Sequence, residues 1–327
     1  MKIFIPTGSE VVLGIGLILF LTLIIGYSLT RITKYILSIR LAWSYLLLAT
    51  ILVERMEQAQ PSGFRMLSII LVMLFSMKSI VTIEYYRDKQ NKLSFIQWLA
   101  FAVGWFGMKP GLFEELGGSR KEGSTNLFFF GISRIVIGSV LLYLANLLAV
   151  SYNGFYILMI IIGLSLAGIS LILHFGILNV SAGMWRLLGA DTRMLFRSPL
   201  LSTSLSEFWG RRWNIAFSEM TSIGIYRPLK KSLGVTKATL VAFLFSGLLH
   251  ELAISVPVKA GLGLPLLYFL IHGLLMLVEK ALEKKGLIIG KNKWIGRGWV
   301  LFWLLLPMPL LFHKYFLKGI ILPFIYG

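Results

Sequence analysis

The chain is predicted to be an all-α, polytopic membrane protein of about eight transmembrane helices plus interfacial or re-entrant helices. Three observations lead there. Hydrophobic residues make up 57% of the 327 positions and charged residues only 14%, too few charges for an ordinary soluble domain of this size. Apolar runs of roughly 20 residues, the length that spans a bilayer, recur from one end to the other. The basic residues are gathered between those runs. No linker or shift in composition divides the chain, so residues 1–327 read as a single membrane-embedded domain. The net charge of +18 invites a nucleic-acid reading, but basic loops between apolar spans are what topology determinants look like, and the inner leaflet is itself anionic. Nucleic acid is therefore set aside and membrane lipid is the expected surrounding. Cysteine is absent, which removes disulfides, thiolate nucleophiles, Cys-based zinc sites and palmitoylation.

The spans fall at 10–30, 35–53, 64–86, 126–150, 153–179, 235–257, 262–282 and 294–313. The first run, Val11 to Leu29, is too long for a signal-peptide core and lacks a small-x-small cleavage site, so it is read as a retained helix. With eight spans the loops alternate sides. One set holds 22 Lys and Arg, the largest share of it from Arg186 to Lys237, and the other set holds 6. By the positive-inside rule the 183–232 loop is cytoplasmic and both termini lie opposite. The host is a plasma (inner) membrane or the endoplasmic reticulum.

Two further segments are apolar but interrupted. Segment 93–108 (LSFIQWLAFAVGWFGM) is short and flanked by basic clusters. It reads as an interfacial helix with Trp98 and Trp105 at headgroup depth, or else as a ninth span. Segment 181–200 interleaves Arg and Asp with apolar residues, like a helix lying on the surface or dipping into it from below, and Pro199 ends any helix before the polar stretch that follows. Glycines within spans (Gly14, Gly16, Gly138, Gly163, Gly168) are read as places of close helix packing.

The residues able to carry chemistry lie between about 195 and 260. No Gly-x-Ser-x-Gly elbow, phosphate-binding Gly loop or dinucleotide fingerprint occurs, and His250-Glu251 is followed by Ile254, so the HExxH zinc pattern is absent. Hydrolase, kinase and dehydrogenase readings have no support, and neither metal nor cofactor is called for. His250 lies in the apolar run GVTKATLVAFLFSGLLHELAISVPV, about 15 residues or ~22 Å from its cytoplasmic end. Ionisable groups at such depth are expensive and usually functional, and neutral imidazole is well suited to take a proton near pH 7. Its helical neighbours Ser246, Gly247 and Ala253 leave an open face beside the ring, wide enough for an acyl chain or a second helix. The competing reading is a structural histidine bonded to a neighbouring helix. Glu251 points about 100° away, so it is assigned a structural pairing with a basic group of another span, such as Arg134 or Lys78.

The other half is the loop Ser202-Thr203-Ser204-Leu205-Ser206-Glu207-Phe208-Trp209-Gly210-Arg211-Arg212-Trp213-Asn214, whose last residue precedes His250 by 36 positions. Arg211 and Arg212 are either a phosphate clamp or plain topology charges. Phe208, Trp209 and Trp213 anchor the loop at the interface or wall a tunnel. Asn214 has two readings: a helix cap, or an amide donating to a carbonyl oxygen as negative charge develops there.

Ser204–Asn214, then Ile225-Tyr226-Arg227-Pro228, then Ser246-Gly247-Leu248-Leu249-His250-Glu251-Leu252 resembles the wax-synthase branch of the membrane-bound O-acyltransferases. That branch carries a similar S-x-x-[DE]-F-W-G-R-R-W-[NH] block, a V/I-Y-x-P turn and an S-G-x-x-H-E helix, in the same order. The resemblance implies acyl transfer from acyl-CoA to a hydroxyl in a membrane-embedded chamber, with His250 essential and Asn214 beside it. On that reading His250 is the base and Asn214 helps hold the carbonyl or orient the pair. Phe208, Trp209, Arg211, Arg212, Trp213, Ser246 and Gly247 form the substrate site. Acyl-CoA is the co-substrate and a lipid-soluble alcohol of wax, sterol or terpenoid type the acceptor. Within the enzyme class the rival is Ser246 as an acyl-enzyme nucleophile. Outside it the rival is a non-catalytic lipid-binding or transport protein using the same chamber, and a polar or glycan acceptor is the alternative substrate. The charge asymmetry yields a direct test. A cysteine at Ser202, in a chain that has none, should escape an impermeant thiol reagent on intact cells and react after permeabilisation; labelling of intact cells would reverse the orientation.

Overall fold

The computed structural model describes residues 2–89, 92–152 and 154–326, and among these there is helix and no strand. Eight helices are long and apolar enough to cross a membrane: α1 (Ser9–Arg31), α2 (Tyr35–Met56), α3 (Ser62–Tyr85), α5 (Ser124–Ser151), α6 (Phe155–Leu187), α7 (Ile215–Val258), α8 (Leu264–Lys284) and α9 (Lys293–Leu311). A ninth, α4 (Phe95–Gly104), is shorter. The chain is an all-helical, multi-pass membrane protein, with spans close to those expected from hydropathy.

α3 is the most enclosed spanning helix, packed between α1, α2 and α7. Its small and mid-sized residues (Ser68, Val72, Ser76, Ser79, Val81) are buried, and this lets neighbouring backbones approach. α5 and α6 form an outer hairpin in backbone contact. A Cβ added to Gly138 would sit 2.7 Å from the Gly168 carbonyl oxygen, and one on Gly168 would sit 2.9 Å from the Gly138 oxygen. Those two glycines do mark close packing, whereas Gly16 and Gly163 face open space.

Segment 93–108 forms a helix too short for the ninth-span reading, and its tryptophans are placed differently from the expectation. α4 has ten residues, about 15 Å of helix, which is half a bilayer. Trp98 and Trp105 are buried in the core rather than resting among headgroups, and the Trp98 indole donates to the Leu23 carbonyl. A capping box from Ser94 and Gln97 starts the helix. Lys78, fully enclosed on α3, ends it: its ammonium donates to the carbonyls of Phe101 (3.0 Å), Trp105 (2.5 Å) and Gly107 (2.6 Å). Lys78 is thus no partner of Glu251. Arg134 is not one either, lying over the Phe130 ring of its own helix.

Segment 181–200 is also corrected. Residues 181–187 are the last turns of α6, and 188–198 run irregularly across the start of α7. This strap is tied by Thr192 to the Ala182 carbonyl and by backbone bonds from Arg197 to Arg212 and from Ile215 to Leu195. α7 counts 44 residues, far more than a bilayer needs, and Gly234 (φ 74°, ψ 171°) breaks it. The run after that break is the predicted 235–257 span. Ser202 is only 1% exposed, so the labelling cysteine belongs at exposed Arg211 instead.

At the opposite end of the bundle Glu57, just past α2, is fully buried, and neither carboxylate oxygen has a partner among the described residues. Burial pushes its carboxyl up from 4.5 to about 7. Between those values the folded protein keeps a proton that the unfolded chain has lost, so the stabilisation is complete below about pH 4.5 and is lost as pH rises to about 7. Glu57→Gln, which mimics the protonated form, should unfold at higher temperature than wild type at pH 8, and the gap should narrow at pH 5. Identical pH dependence in the two proteins would mean that Glu57 is ionised in the fold.

Candidate active site

One face of α7 builds the wall of a cavity of about 850 Å³. Val235, Thr239, Ala242, Ser246, His250 and Ile254 line it at helical spacing. From Val235 to Ile254 this stripe rises about 28 Å, close to the thickness of the hydrocarbon core. The opposite walls come from the 203–214 loop, from Phe269, Met276 and Glu279 on α8, and from His174 on α6; Lys280 and Glu283 lie at the end where the basic loops gather.

His250 sits towards the far end of that stripe. Its Nδ1 lies 2.8 Å from the Ser246 carbonyl. A carbonyl can only accept, so Nδ1 carries the hydrogen and Nε2 of the neutral ring presents a lone pair. Nε2 has no hydrogen bond among the described residues, and the residue lines the cavity. The ring is held between Phe269 (centroids 4.2 Å) and Phe217 (5.0 Å). Ser246 donates its hydroxyl hydrogen to the Ala242 carbonyl at 2.9 Å, the usual habit of a helical serine, so no Ser–His couple forms. Gly247 is outside the lining and pressed on α8: a Cβ there would lie 2.9 Å from Leu266 Cα. The open face beside His250 thus takes a second helix at Gly247 and a cavity at Ser246.

Glu251 has a different place from that expected. Its carboxylate accepts from the backbone amides of Gly263 (2.9 Å) and Leu266 (3.3 Å), capping the N-terminus of α8. That satisfies orphan amides at the start of the helix.

Asn214 begins α7 in the left-handed region (φ 41°), a conformation asparagine tolerates. Its Oδ1 accepts from Phe217 N at 3.2 Å, so it is a cap. Nδ2 has no protein partner among the described residues, and Asn214 lines the cavity. The cap and donor readings are therefore compatible, one for each end of the amide.

The loop holds its shape through carboxylates. Ser204 Oγ accepts from Glu207 N at 3.0 Å. Glu207 accepts from Thr203 N (2.8 Å) and from Arg212 Nε (2.7 Å). Its carboxyl stays below the usual range because these bonds and the guanidinium outweigh partial burial, which acts upward. Arg212 is thereby committed to the loop and, like exposed Arg211, stands outside the cavity lining. Phe208 is buried and stacked on Trp213 (5.5 Å, 12°). It shapes the loop, while Trp209 and Trp213 line the cavity. Glu279 on α8, which sequence reasoning missed, docks the loop. It accepts from Leu205 N (2.7 Å), Ser206 N (3.0 Å), Ser206 Oγ (3.2 Å) and the Trp299 indole (2.9 Å). Its signal was a carboxylate near the end of an apolar span, indistinguishable there from interfacial Lys280 and Glu283. His174 was also missed, being a lone histidine in an apolar run. Three π-helical turns, Leu171–Ile177, Phe208–Arg212 and Ser222–Tyr226, carry lining residues, in keeping with the tendency of such bulges to occur at functional sites.

Residues 192–271 match the membrane bound O-acyl transferase family. A long-chain-alcohol O-fatty-acyltransferase of Simmondsia chinensis is 36% identical over 106 residues, 30% of each chain. Two Arabidopsis thaliana proteins described as probable long-chain-alcohol O-fatty-acyltransferases are also similar. One is 44% identical over 73 residues (20% of this chain, 21% of the relative), and the other 27% identical over 198 residues (55% and 56%). The matched stretches span well under two thirds of those relatives' own lengths.

Glu279→Ala should undock the loop. It strands two backbone amides and an indole, at a cost on the order of 3 kcal/mol, so hydrogen exchange at Leu205 and Ser206 should accelerate by about 10²-fold. Unchanged exchange at those amides would show that the loop is held by something else.

Proposed function

We propose that this chain, whose residues 192–271 match the membrane bound O-acyl transferase family, is a wax-synthase-type acyltransferase that moves an acyl group from acyl-CoA to the hydroxyl of a hydrophobic alcohol. The observation that carries the reading is His250: an imidazole with a bound Nδ1 and an open Nε2, on the wall of a cavity about as long as the bilayer is thick. The similar proteins described as long-chain-alcohol O-fatty-acyltransferases supply the substrate class.

In this reading acyl-CoA approaches from the cytoplasmic end, beside the docked loop and Lys280, and its acyl chain lies along the α7 stripe. The alcohol arrives from the bilayer. His250 Nε2 accepts the hydroxyl proton as the oxygen attacks the thioester carbon, and Asn214 Nδ2 donates to the carbonyl oxygen. A thioester is already activated, so alignment and a base suffice. The Ser246 nucleophile is disfavoured because its hydrogen is given to Ala242.

An apolar wall favours acceptors that partition into lipid, of wax-ester, sterol or terpenoid type. A chain taken from the bilayer gains little by entering an apolar cavity, so the hydroxyl end and the cavity's shape decide the choice more than chain length does. His250→Ala should lower turnover by about 10³-fold, within the range for a lost general base, while acyl-CoA binding persists. In competition at matched concentration a long-chain alcohol should be esterified in preference to a water-soluble sugar. Near-wild-type turnover in His250→Ala would sink the mechanism, and preference for the sugar would overturn the acceptor class alone.

A further inference from the structure

His174 is the second imidazole on the cavity wall. It lies in the π-helical turn Leu171–Ile177 that interrupts α6. Its ring packs on Phe196 (4.6 Å) and Trp213 (5.7 Å), and Trp213 immediately precedes Asn214. The arrangement mirrors that of His250, which packs between two phenyl rings with Nδ1 tied one turn back along its own helix. The difference lies in what holds Nδ1. For His174 it is a hydroxyl, Ser170 Oγ at 3.1 Å. Ser165 on the same helix donates to the carbonyl four residues back, but Ser170 has no such bond among the described residues, and its hydroxyl is turned to the ring instead. With Nδ1 as the acceptor within reach, the hydroxyl hydrogen goes there, because the opposite polarity would leave that hydrogen without a partner in an apolar setting. Nε2 then carries the ring hydrogen. No protein partner is present on His174 Nε2 among the described residues. The two histidines are therefore opposite in kind, His250 presenting a lone pair and His174 an N–H.

We propose that His174 Nε2–H, together with Asn214 Nδ2, donates to the thioester carbonyl oxygen, which makes His174 a further substrate-contacting residue. The assignment rests on the acyl-transfer reading above. As the alcohol oxygen bonds to the carbonyl carbon, its proton passes to His250 Nε2 and the C=O electron pair moves onto the oxygen, where the two donors receive it. When the carbonyl reforms, the C–S bond breaks, the pair leaves with sulfur, and the thiolate takes the proton from His250. His174 keeps its proton throughout, so its part is to stabilise charge and to orient the thioester.

The test is infrared spectroscopy of carbonyl-¹³C acyl-CoA bound to the purified protein without alcohol, followed by steady-state kinetics with a long-chain alcohol. Hydrogen bonding to the wild-type site should lower the carbonyl stretch relative to free thioester. His174→Phe should raise it part of the way back and reduce kcat by about 10²-fold, the usual loss for one donor of this kind, with KM for acyl-CoA unchanged. His174→Gln, which keeps an N–H near the same place, should restore most of both. Ser170→Ala leaves the ring in place but removes the hydroxyl that sets its tautomer; it should give a smaller change in the same direction, and it serves if His174→Phe does not fold. A stretch and a kcat that stay at wild-type values in His174→Phe overturn the proposal. A lowered stretch that depends on His174 in a protein that forms no ester would leave the donor assignment standing and remove the acyl-transfer reading. Failure of the wild-type protein to bind the thioester removes both.

Discussion

Inside a bilayer there is no water to satisfy a backbone amide or carbonyl that leaves the helical ladder, and an orphaned group costs several kcal/mol. Much of this molecule follows from how that demand is met. Lys78 gathers three carbonyls where α4 stops. Glu251 takes the amides that begin α8, and Glu279 takes those that begin the 205–207 turn. Buried Arg65 donates to the Pro257 carbonyl at the end of α7. Each is an ionic side chain set on a spanning helix or at its edge, and each allows irregular backbone to exist where lipid alone would forbid it.

The cavity depends on those irregular stretches. A bundle of unbroken helices packs side chain against side chain and leaves little room. Here the loop folded in over α8, the π turns on α6 and at the start of α7, and the break at Gly234 displace side chains from regular positions. Polar groups consequently face a shared space: the ring of His250, the amide of Asn214 and the ring of His174. They reach it from a helix middle, a helix cap and a helix bulge, and each is held by a hydrogen bond to its own helix. Such local ties fix orientation without relying on long-range register, which suits groups that must present one chosen atom to a substrate.

Charge has two distinct uses in the loop. Glu207 and Arg212 close it on itself at the rim, where such a pair is half-solvated and of modest worth. Glu279 works in a drier place and without a cation among its bonded partners, receiving neutral N–H and O–H groups instead. Hydrogen bonds to an ionised acceptor are roughly twice as strong as neutral ones. Docking on α8 rests on Glu279, which reaches across to the loop, whereas the Glu207–Arg212 pair ties the loop to itself.

The sequence by itself determined the helical class, the span positions to within a few residues except where α6 runs on to Leu187 and α7 begins at Ile215, and the pairing of the loop with His250. Span length and apolar runs are local properties that hydropathy reports directly, and the pairing of the loop with His250 is what the family resemblance implies. Ser246 bonds back along its helix, a preference that belongs to serine in any apolar helix. Only the tertiary structure decided what the buried charges touch. Glu251 was expected to pair with a basic group of another span, such as Arg134 or Lys78, whereas Glu251 and Lys78 serve backbone ends far apart in the fold; Trp98 and Trp105 were expected among headgroups and are enclosed by protein; Arg212 was a candidate phosphate clamp and belongs to Glu207. Glu279 and His174 were not singled out at all. The physical reason is the same in every case. A polar residue in an apolar run signals that a partner is needed, but the partner is set by which backbone ends and rings the helices bring within about 3 Å of it, and hydropathy does not carry that information.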